Sequence, residues 1–87
     1  MKLQENVIYD GHNNLYVMCW TEGNTVFLTD DLFKIERYKD APTAISMYQR
    51  MKNAGCRFLR DSDDSEVSDV SLNVGMLEIS AHFDGRL

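Results

Sequence analysis

The sequence predicts a small α+β domain, in which an antiparallel sheet of about five or six short strands packs against one amphipathic helix. The first 38 residues contain short segments rich in β-branched and aromatic residues, separated by turn formers. Segment 41–54 instead has apolar residues at helical spacing. With 87 residues, the chain is near the lower end of what folds alone, so we expect one compact domain over 1–87.

The first part of the chain is expected to form an antiparallel meander, because its predicted strands are joined by short connections. Turn formers at 10–14 and a glycine-containing loop at 22–24 separate the first three strands. Residues after Asp31 alternate well enough to predict a fourth strand. The predicted strands of the meander are 3–9, 15–21, 25–29 and 32–38.

The helix is predicted over about 41–54 from its boundaries and its apolar stripe. Asp40 is suited to the N-cap, and Pro42 lies in the first turn, where a missing N–H costs nothing. Gly55 is suited to a left-handed C-cap. The apolar face at helical spacing consists of Ala41, Ala44, Ile45, Tyr48 and Met51.

After the helix, a short strand at 56–59 is expected to return to the sheet. Residues 61–70 are predicted to form an exposed loop, because Asp61 to Asp69 holds five acids and three serines. A last strand is predicted over 70–83. We expect it to be interrupted at Asn73 or Gly75, because a glycine within a strand is typical of a bulge.

Charge is sorted along the chain into three blocks. Residues 1–33 carry one base and five acids, 34–60 carry seven bases and two acids, and 61–87 carry one base and seven acids. The total is −5, which argues against an anionic membrane or a nucleic-acid backbone as the main ligand. No apolar run reaches the length of about 20 residues that spans a bilayer, and no signal-peptide core follows Leu3, so a cytoplasmic location is expected.

The acidic loop has three interpretations. Asp61, Asp63 and Ser65 alternate as calcium ligands do, but an EF-hand needs glycine at its sixth position and glutamate at its twelfth. Glu66 and Leu72 stand there instead. Spaced carboxylates can also mimic a phosphate backbone and occupy a basic groove on another protein. The third interpretation is a solvated loop with no partner.

The basic block, 34–60, also has two interpretations. Its cations, interleaved with aromatic residues, could bind nucleic acid directly, but both flanking blocks would repel phosphate. Alternatively, these cations pair with the acidic loop of the same domain. We therefore expect no direct binding of nucleic acid.

Residues with catalytic or metal-binding chemistry are few. Asp10 with His12, and His82 with Asp84, would bring four metal ligands together if the first and last strands were neighbours, whereas surface histidines are the simpler reading. Cys19 and Cys56 are expected to be reduced structural thiols. The sequence has no nucleophile turn, phosphate loop or dinucleotide fingerprint. It therefore predicts no enzyme activity, no cofactor and no metal.

In size, acidity, the Asp61–Asp69 cluster and the single helix on a small sheet, the chain resembles the small acidic proteins by which phages and mobile elements block host defence, anti-CRISPR proteins among them. The resemblance implies stoichiometric inhibition, in which an acidic surface docks on the basic nucleic-acid groove of a host protein such as a Cas nuclease, in the host cytoplasm. No motif aligns, so no residue role is carried over. The residues that we expect to contact the partner are Asp61, Asp63, Asp64, Glu66 and Asp69, with Asp30 and Asp31 extending the surface.

The alternative is a self-associating structural or regulatory domain, a homodimer with no target related to nucleic acid. A sheet this small, covered by one helix, leaves an edge or a face open, and dimerisation is a common way to cover it.

Overall fold

A computed structural model describes residues 2–80 and confirms the α+β class, with a five-stranded sheet packed against one helix. The sheet order is β4-β3-β2-β1-β5. No helix in the described residues is long and apolar enough to cross a membrane. The elements are β1 Lys2–Asp10, β2 Leu15–Thr21, β3 Thr25–Thr29, α1 Ala41–Ala54, β4 Arg57–Arg60 and β5 Leu72–Ser80.

The sheet is mixed rather than wholly antiparallel. β1 pairs antiparallel with β2 and with β5, and β2 pairs antiparallel with β3. β3 and β4 are parallel, with Val26 opposite Phe58. The reason is the connection between them: parallel neighbours need a crossover, and α1 with its flanking segments supplies it. The predicted meander is therefore limited to β1, β2 and β3.

The predicted helix is confirmed at both ends. The Asp40 carboxylate accepts a hydrogen bond from the Thr43 N–H at 2.8 Å, and Pro42 lies in the first turn. Gly55 ends the helix in the left-handed conformation, with φ 66° and ψ 48°. The buried stripe is narrower than its spacing predicts, because Ile45 is 44% exposed.

Replacing Gly55 by alanine is expected to cost about 1 kcal/mol of unfolding free energy, because a left-handed backbone strains any residue with a Cβ. A Cβ at Gly55 would meet nothing within 4 Å, so the cost comes from the backbone alone. Gly55→Asn is the matched control and should lose less, because asparagine tolerates this conformation. Urea denaturation of the two variants measures the difference, and equal stabilities would contradict a left-handed C-cap.

The apolar core lies between α1 and one face of the sheet. Ala44 and Met51 bring the helix into it, and Val67 adds a contact from the loop after β4. Burial of these side chains is the main source of stability in a domain of this size. The fully buried strand residues of this core are Ile8, Leu15, Val17, Val26 and Leu28.

The predicted fourth strand at 32–38 is wrong. Strands β1 and β2 pair only through their last and first residues in the described structure, and segment 35–38 lies between them. The Tyr38 N–H donates to Asn6 O at 2.9 Å, and the Glu36 N–H donates to Val17 O at 3.0 Å. Ile35 is also buried. The apolar residues of this segment do alternate with polar ones, but the buried ones among them belong to a segment inserted between two strands and not to a strand of the sheet.

The predicted bulge in the last strand is also wrong. β5 pairs with β1 residue for residue, including Val7 opposite Gly75. A Cβ at Gly75 would lie 2.8 Å from Cε1 of Tyr9, so the glycine makes room for that ring. The described structure shifts register instead in β2, between Val17 and Cys19. Positions 81–83 of the predicted strand lie outside the described residues.

Candidate functional site

The sheet topology gathers several loops at one end of the molecule. β3 and β4 are parallel and finish together, β1 finishes at that end, and β2 and β5 begin there. Two backbone hydrogen bonds tie the loops to the sheet: the Asp61 N–H donates to Leu28 O at 2.8 Å, and the Gly11 N–H donates to Ser71 O at 2.9 Å. The predicted contact residues lie in these loops. We call them the acidic end: Asp30, Asp31, Asp61, Asp63, Asp64, Glu66 and Asp69.

A cleft of about 260 Å³ joins the two parts of the predicted surface. Asp30 and Asp31 line it together with Asp61, although 30 residues separate them in the chain. Lys34 and Arg60 are the cations of the cleft, and Lys34 Nζ lies 3.2 Å from Asp61 Oδ2. The Lys34 side chain is half exposed, so this ion pair contributes about 0–1 kcal/mol. The acidic end has seven carboxylates against the two cations of the cleft, so its net charge remains negative.

The loop after β4 is exposed in its side chains but fixed in its backbone. The Arg60 N–H donates to Ser65 O at 2.7 Å, and the Val67 N–H donates to Phe58 O at 2.8 Å. The backbone of Glu66 forms an isolated antiparallel β-bridge with Leu59 of β4. The loop therefore covers the outer edge of β4 and presents its carboxylates from an ordered backbone.

Asp63 anchors the tip of this loop. Its Oδ1 accepts from the Ser65 N–H at 3.0 Å and from the Ser65 hydroxyl at 2.6 Å. The bonds from Ser65, with a smaller contribution from Arg60, hold the pKa of Asp63 below its ordinary value. Asp63 and Ser65, two residues of the calcium interpretation, thus bond each other. Within residues 2–80, no group of three potential metal ligands is present.

An exposed aromatic residue adjoins the acidic end, and the sequence did not predict it. Phe33 is 95% exposed, and its neighbour Leu32 is 47% exposed. The turn that carries them is ordered: the Phe33 N–H donates to Asp31 Oδ1 at 2.9 Å, and Arg37 Nη2 donates to Leu32 O at 2.6 Å. The alternation of 32–38 concealed this turn, although Thr29, Asp30 and Asp31 before it are residues that start turns.

Asp10 organises the other side of this end. Its side chain is fully buried and accepts hydrogen bonds from the N–H groups of His12, Asn13 and Ser71 and from Asn13 Nδ2. Burial opposes ionisation, but the four hydrogen bonds outweigh it and hold the pKa of Asp10 below its ordinary value. Asn13 Nδ2 also donates to Ser68 O, which fixes the segment containing Asp69. Asp10 is therefore a structural carboxylate.

The proposed histidine site cannot be assembled from the described residues. His12 is exposed, and both Asp10 oxygens already accept hydrogen bonds. His82 and Asp84 lie outside the described residues.

The two cysteines are half-buried and free. Burial raises the pKa of both thiols, and the charges of Asp61 and Glu36 raise that of Cys19 further. Both are therefore protonated at neutral pH, which makes them weak nucleophiles.

Four cations of the basic block make separate contacts within the domain. Lys34 pairs with Asp61, as the intramolecular interpretation expects. Arg37 donates to carbonyl groups of its own loop. On the helix, the Arg50 guanidinium lies 5.7 Å from the ring centroid of Trp20, and Lys52 Nζ lies 5.3 Å from that of Tyr48. These contacts stabilise the helix surface and spread the positive charge over different sides of it.

Comparison with known proteins gives this chain no relatives: no family model, no curated protein and no solved structure matches it. Its function must therefore be inferred from its own residues, and the acidic end is the strongest candidate site.

Proposed function

We propose that the chain is a non-enzymatic inhibitor that docks its acidic end on the basic nucleic-acid groove of a nuclease or another nucleic-acid-handling enzyme. The observation that carries the proposal is the meeting of carboxylates from separate loops with the exposed Phe33 on one ordered end. The resemblance to phage inhibitors adds the expectation that the target is a host defence protein, such as a Cas nuclease, met in the host cytoplasm.

Electrostatics supports a basic target. Seven carboxylates on one end of a chain with net charge −5 create a field that steers a cationic partner and speeds association. The backbone hydrogen bonds of Ser65 and Val67 order the backbone that carries several of these carboxylates before binding. Little conformational entropy is then lost on association, which favours affinity.

The exposed Phe33 supports a protein partner rather than a free ion or small molecule. Aromatic side chains are typical anchors of protein interfaces, where they fill a pocket at the centre and are surrounded by polar residues. Phe33 is suited to such a role, because the Asp31 carboxylate fixes its turn and its neighbours Asp31 and Lys34 line the acidic cleft. Because the turn is ordered, binding restricts the side chain of Phe33 but not its backbone, which lowers the entropy lost on association.

A binding role also fits the chemistry of the remaining groups. Acid–base or nucleophilic catalysis needs a reactive group aimed at a cavity and oriented by a neighbour. Here the thiols are held protonated, and the carboxylate of Asp10 is fully used by backbone and amide donors. The remaining carboxylates of the acidic end face solvent or the shallow cleft.

The test is charge reversal with a matched control. Asp30→Lys and Glu22→Lys change the charge equally, and both residues lie in exposed loops, but only Asp30 belongs to the acidic end. We expect Asp30→Lys to weaken binding about tenfold, Glu22→Lys to change it little, and the double reversal of Asp63 and Asp64 to abolish it. Calorimetric titration into a nucleic-acid-handling enzyme recovered by pull-down at low salt measures these affinities. Circular dichroism checks that each variant is folded.

Two further results discriminate between mimicry and other binding. A short nucleic-acid duplex that occupies the groove of the recovered enzyme should displace the chain, and raised salt should weaken the complex. An affinity that neither salt nor the double reversal changes would contradict the proposal.

A further inference from the structure

We infer that the outer edge of β5 pairs with β5 of a second copy of this chain, forming a symmetric dimer with one continuous sheet. The inference does not depend on the proposed function. The two outer strands differ: the backbone of Ser65–Val67 covers the edge of β4, whereas β5 pairs with β1 alone among residues 2–80. An uncovered strand edge is a template for pairing with another strand.

The hydrogen-bond pattern identifies the free backbone groups. The Gly11 N–H donates to Ser71 O, so these two residues are a hydrogen-bonded pair, and hydrogen-bonded and non-hydrogen-bonded pairs alternate from there along β1 and β5. Every second residue after Ser71 therefore bonds β1, and the residues between them direct N–H and C=O away from it. The outward set is Leu72, Val74, Met76, Glu78 and Ser80.

β5 also lacks the features that protect natural edge strands from association. Such edges are usually short, bulged, or interrupted by proline or lysine. β5 has nine residues, no proline and no lysine, and Glu78 is its single charged residue. Its register with β1 is unbroken, and Met76 at its middle is 58% exposed.

A second copy fits this edge by symmetry. Antiparallel pairing of identical strands places the two-fold axis at Met76, so that Val74 lies opposite Glu78 and Leu72 opposite Ser80 of the other copy. The α-carbons of the two Glu78 residues are then about 14 Å apart, which exceeds the Debye length of about 8 Å at physiological ionic strength. Like charges therefore do not face each other in this register.

The same arrangement limits repulsion between the two negatively charged chains. The acidic end lies where β5 begins, near Leu72, and antiparallel pairing sends the two beginnings in opposite directions. The two acidic ends therefore lie far apart and stay uncovered. A dimer of this form leaves both free to bind a partner.

The dimer is tested by substituting Met76. Its N–H points away from β1, so Met76→Pro removes an outward donor without breaking the ladder between β1 and β5. Met76→Ala keeps that donor and is the matched control. Met76→Lys is the second variant, because it places two lysines opposite each other at the axis. Light scattering over a wide range of protein concentration gives the mass, and circular dichroism reports folding.

We expect wild type and Met76→Ala to have about twice the 10.0 kDa mass of one chain, and Met76→Pro and Met76→Lys to have the mass of one chain. In wild type and Met76→Ala, but not in Met76→Pro or Met76→Lys, the amide hydrogens of Val74 and Glu78 should exchange slowly with solvent. If Met76→Pro does not fold, Met76→Lys decides. A single-chain mass for wild type at all concentrations would overturn the inference. So would a dimer that persists in folded Met76→Pro or Met76→Lys, or exchange protection that does not depend on concentration.

Discussion

Replacing Asp10 by alanine is expected to cost about 3–5 kcal/mol of unfolding free energy, a large part of the stability of a domain this small. The carboxylate is fully buried and accepts four hydrogen bonds, so alanine leaves each of those donors without its acceptor. Three of the donors are backbone N–H groups, which no rotamer change can direct elsewhere. Urea denaturation followed by circular dichroism measures the loss.

Two further variants separate hydrogen bonding from charge. Asp10→Asn keeps an oxygen for the backbone donors but directs an NH2 group at Asn13 Nδ2, which lies 2.6 Å from Asp10 Oδ2. We therefore expect an intermediate loss of about 2–3 kcal/mol. Asp30→Ala removes an exposed carboxylate and should change stability by no more than about 0.5 kcal/mol. Equal losses for alanine at both positions would show that Asp10 has no special structural role.

As pH falls into the acidic range, the folded protein becomes less stable through protonation of Asp10. Its pKa in the folded protein is lower than in the unfolded chain, because hydrogen bonds favour the charged form despite burial. The contribution of Asp10 to the free energy of unfolding is therefore fully present above its pKa in the unfolded chain, about 3.9. It decreases as pH falls below that value toward the folded pKa. Stability of wild type should fall in this acidic range more steeply than that of Asp10→Asn.

The local part of the fold could be predicted from the sequence. The helix is determined by Asp40, Pro42 and Gly55 within its own segment, and the structure reproduces both boundaries. The second and third strands were also predicted at their observed bounds, because turn formers lie immediately beside them. Each of these elements depends on interactions between residues close in sequence.

The wrong predictions concern features that depend on residues distant in sequence. Segment 32–38 alternates like a strand, but its position is decided by the gap between β1 and β2, which is a tertiary feature. Gly75 predicts a bulge from its local sequence alone, because Tyr9, whose ring occupies the space above it, is distant in the chain. The parallel pairing of β4 likewise depends on where the helix returns the chain.

The candidate site shows the same division. The carboxylates are identified from the sequence, but the meeting of Asp30, Asp31 and Asp61 around one cleft depends on β3 and β4 ending together. The structural role of Asp10 depends on Ser71, which is distant in sequence, so no local signal could predict it. The sequence does not predict the exposure of Phe33, because exposure depends on which elements surround a residue, and periodicity alone predicts a strand.

Replacing Tyr38 is expected to cause the second large loss of stability, because its side chain packs into the core from the segment inserted between β1 and β2. The side chain is 9% exposed and belongs to the core together with residues of the helix and β1, while its N–H bonds Asn6. Tyr38→Ala should cost about 3–4 kcal/mol, as for other large buried aromatic residues. Tyr38→Phe keeps the ring and should cost less than about 1 kcal/mol. If segment 35–38 were a solvated loop, the alanine variant would be nearly as stable as wild type.

Alkaline titration checks the same placement independently. Burial, with a smaller contribution from the Glu36 charge, raises the pKa of Tyr38 to about 12. The folded pKa exceeds the unfolded value of about 10, so this group's contribution to stability is complete below pH 10 and is lost as pH rises toward 12. Wild type should therefore lose more stability over this range than Tyr38→Phe, which has no phenol to ionise at this position. Equal losses in the two proteins would place the hydroxyl in water and contradict the insertion of this segment between β1 and β2.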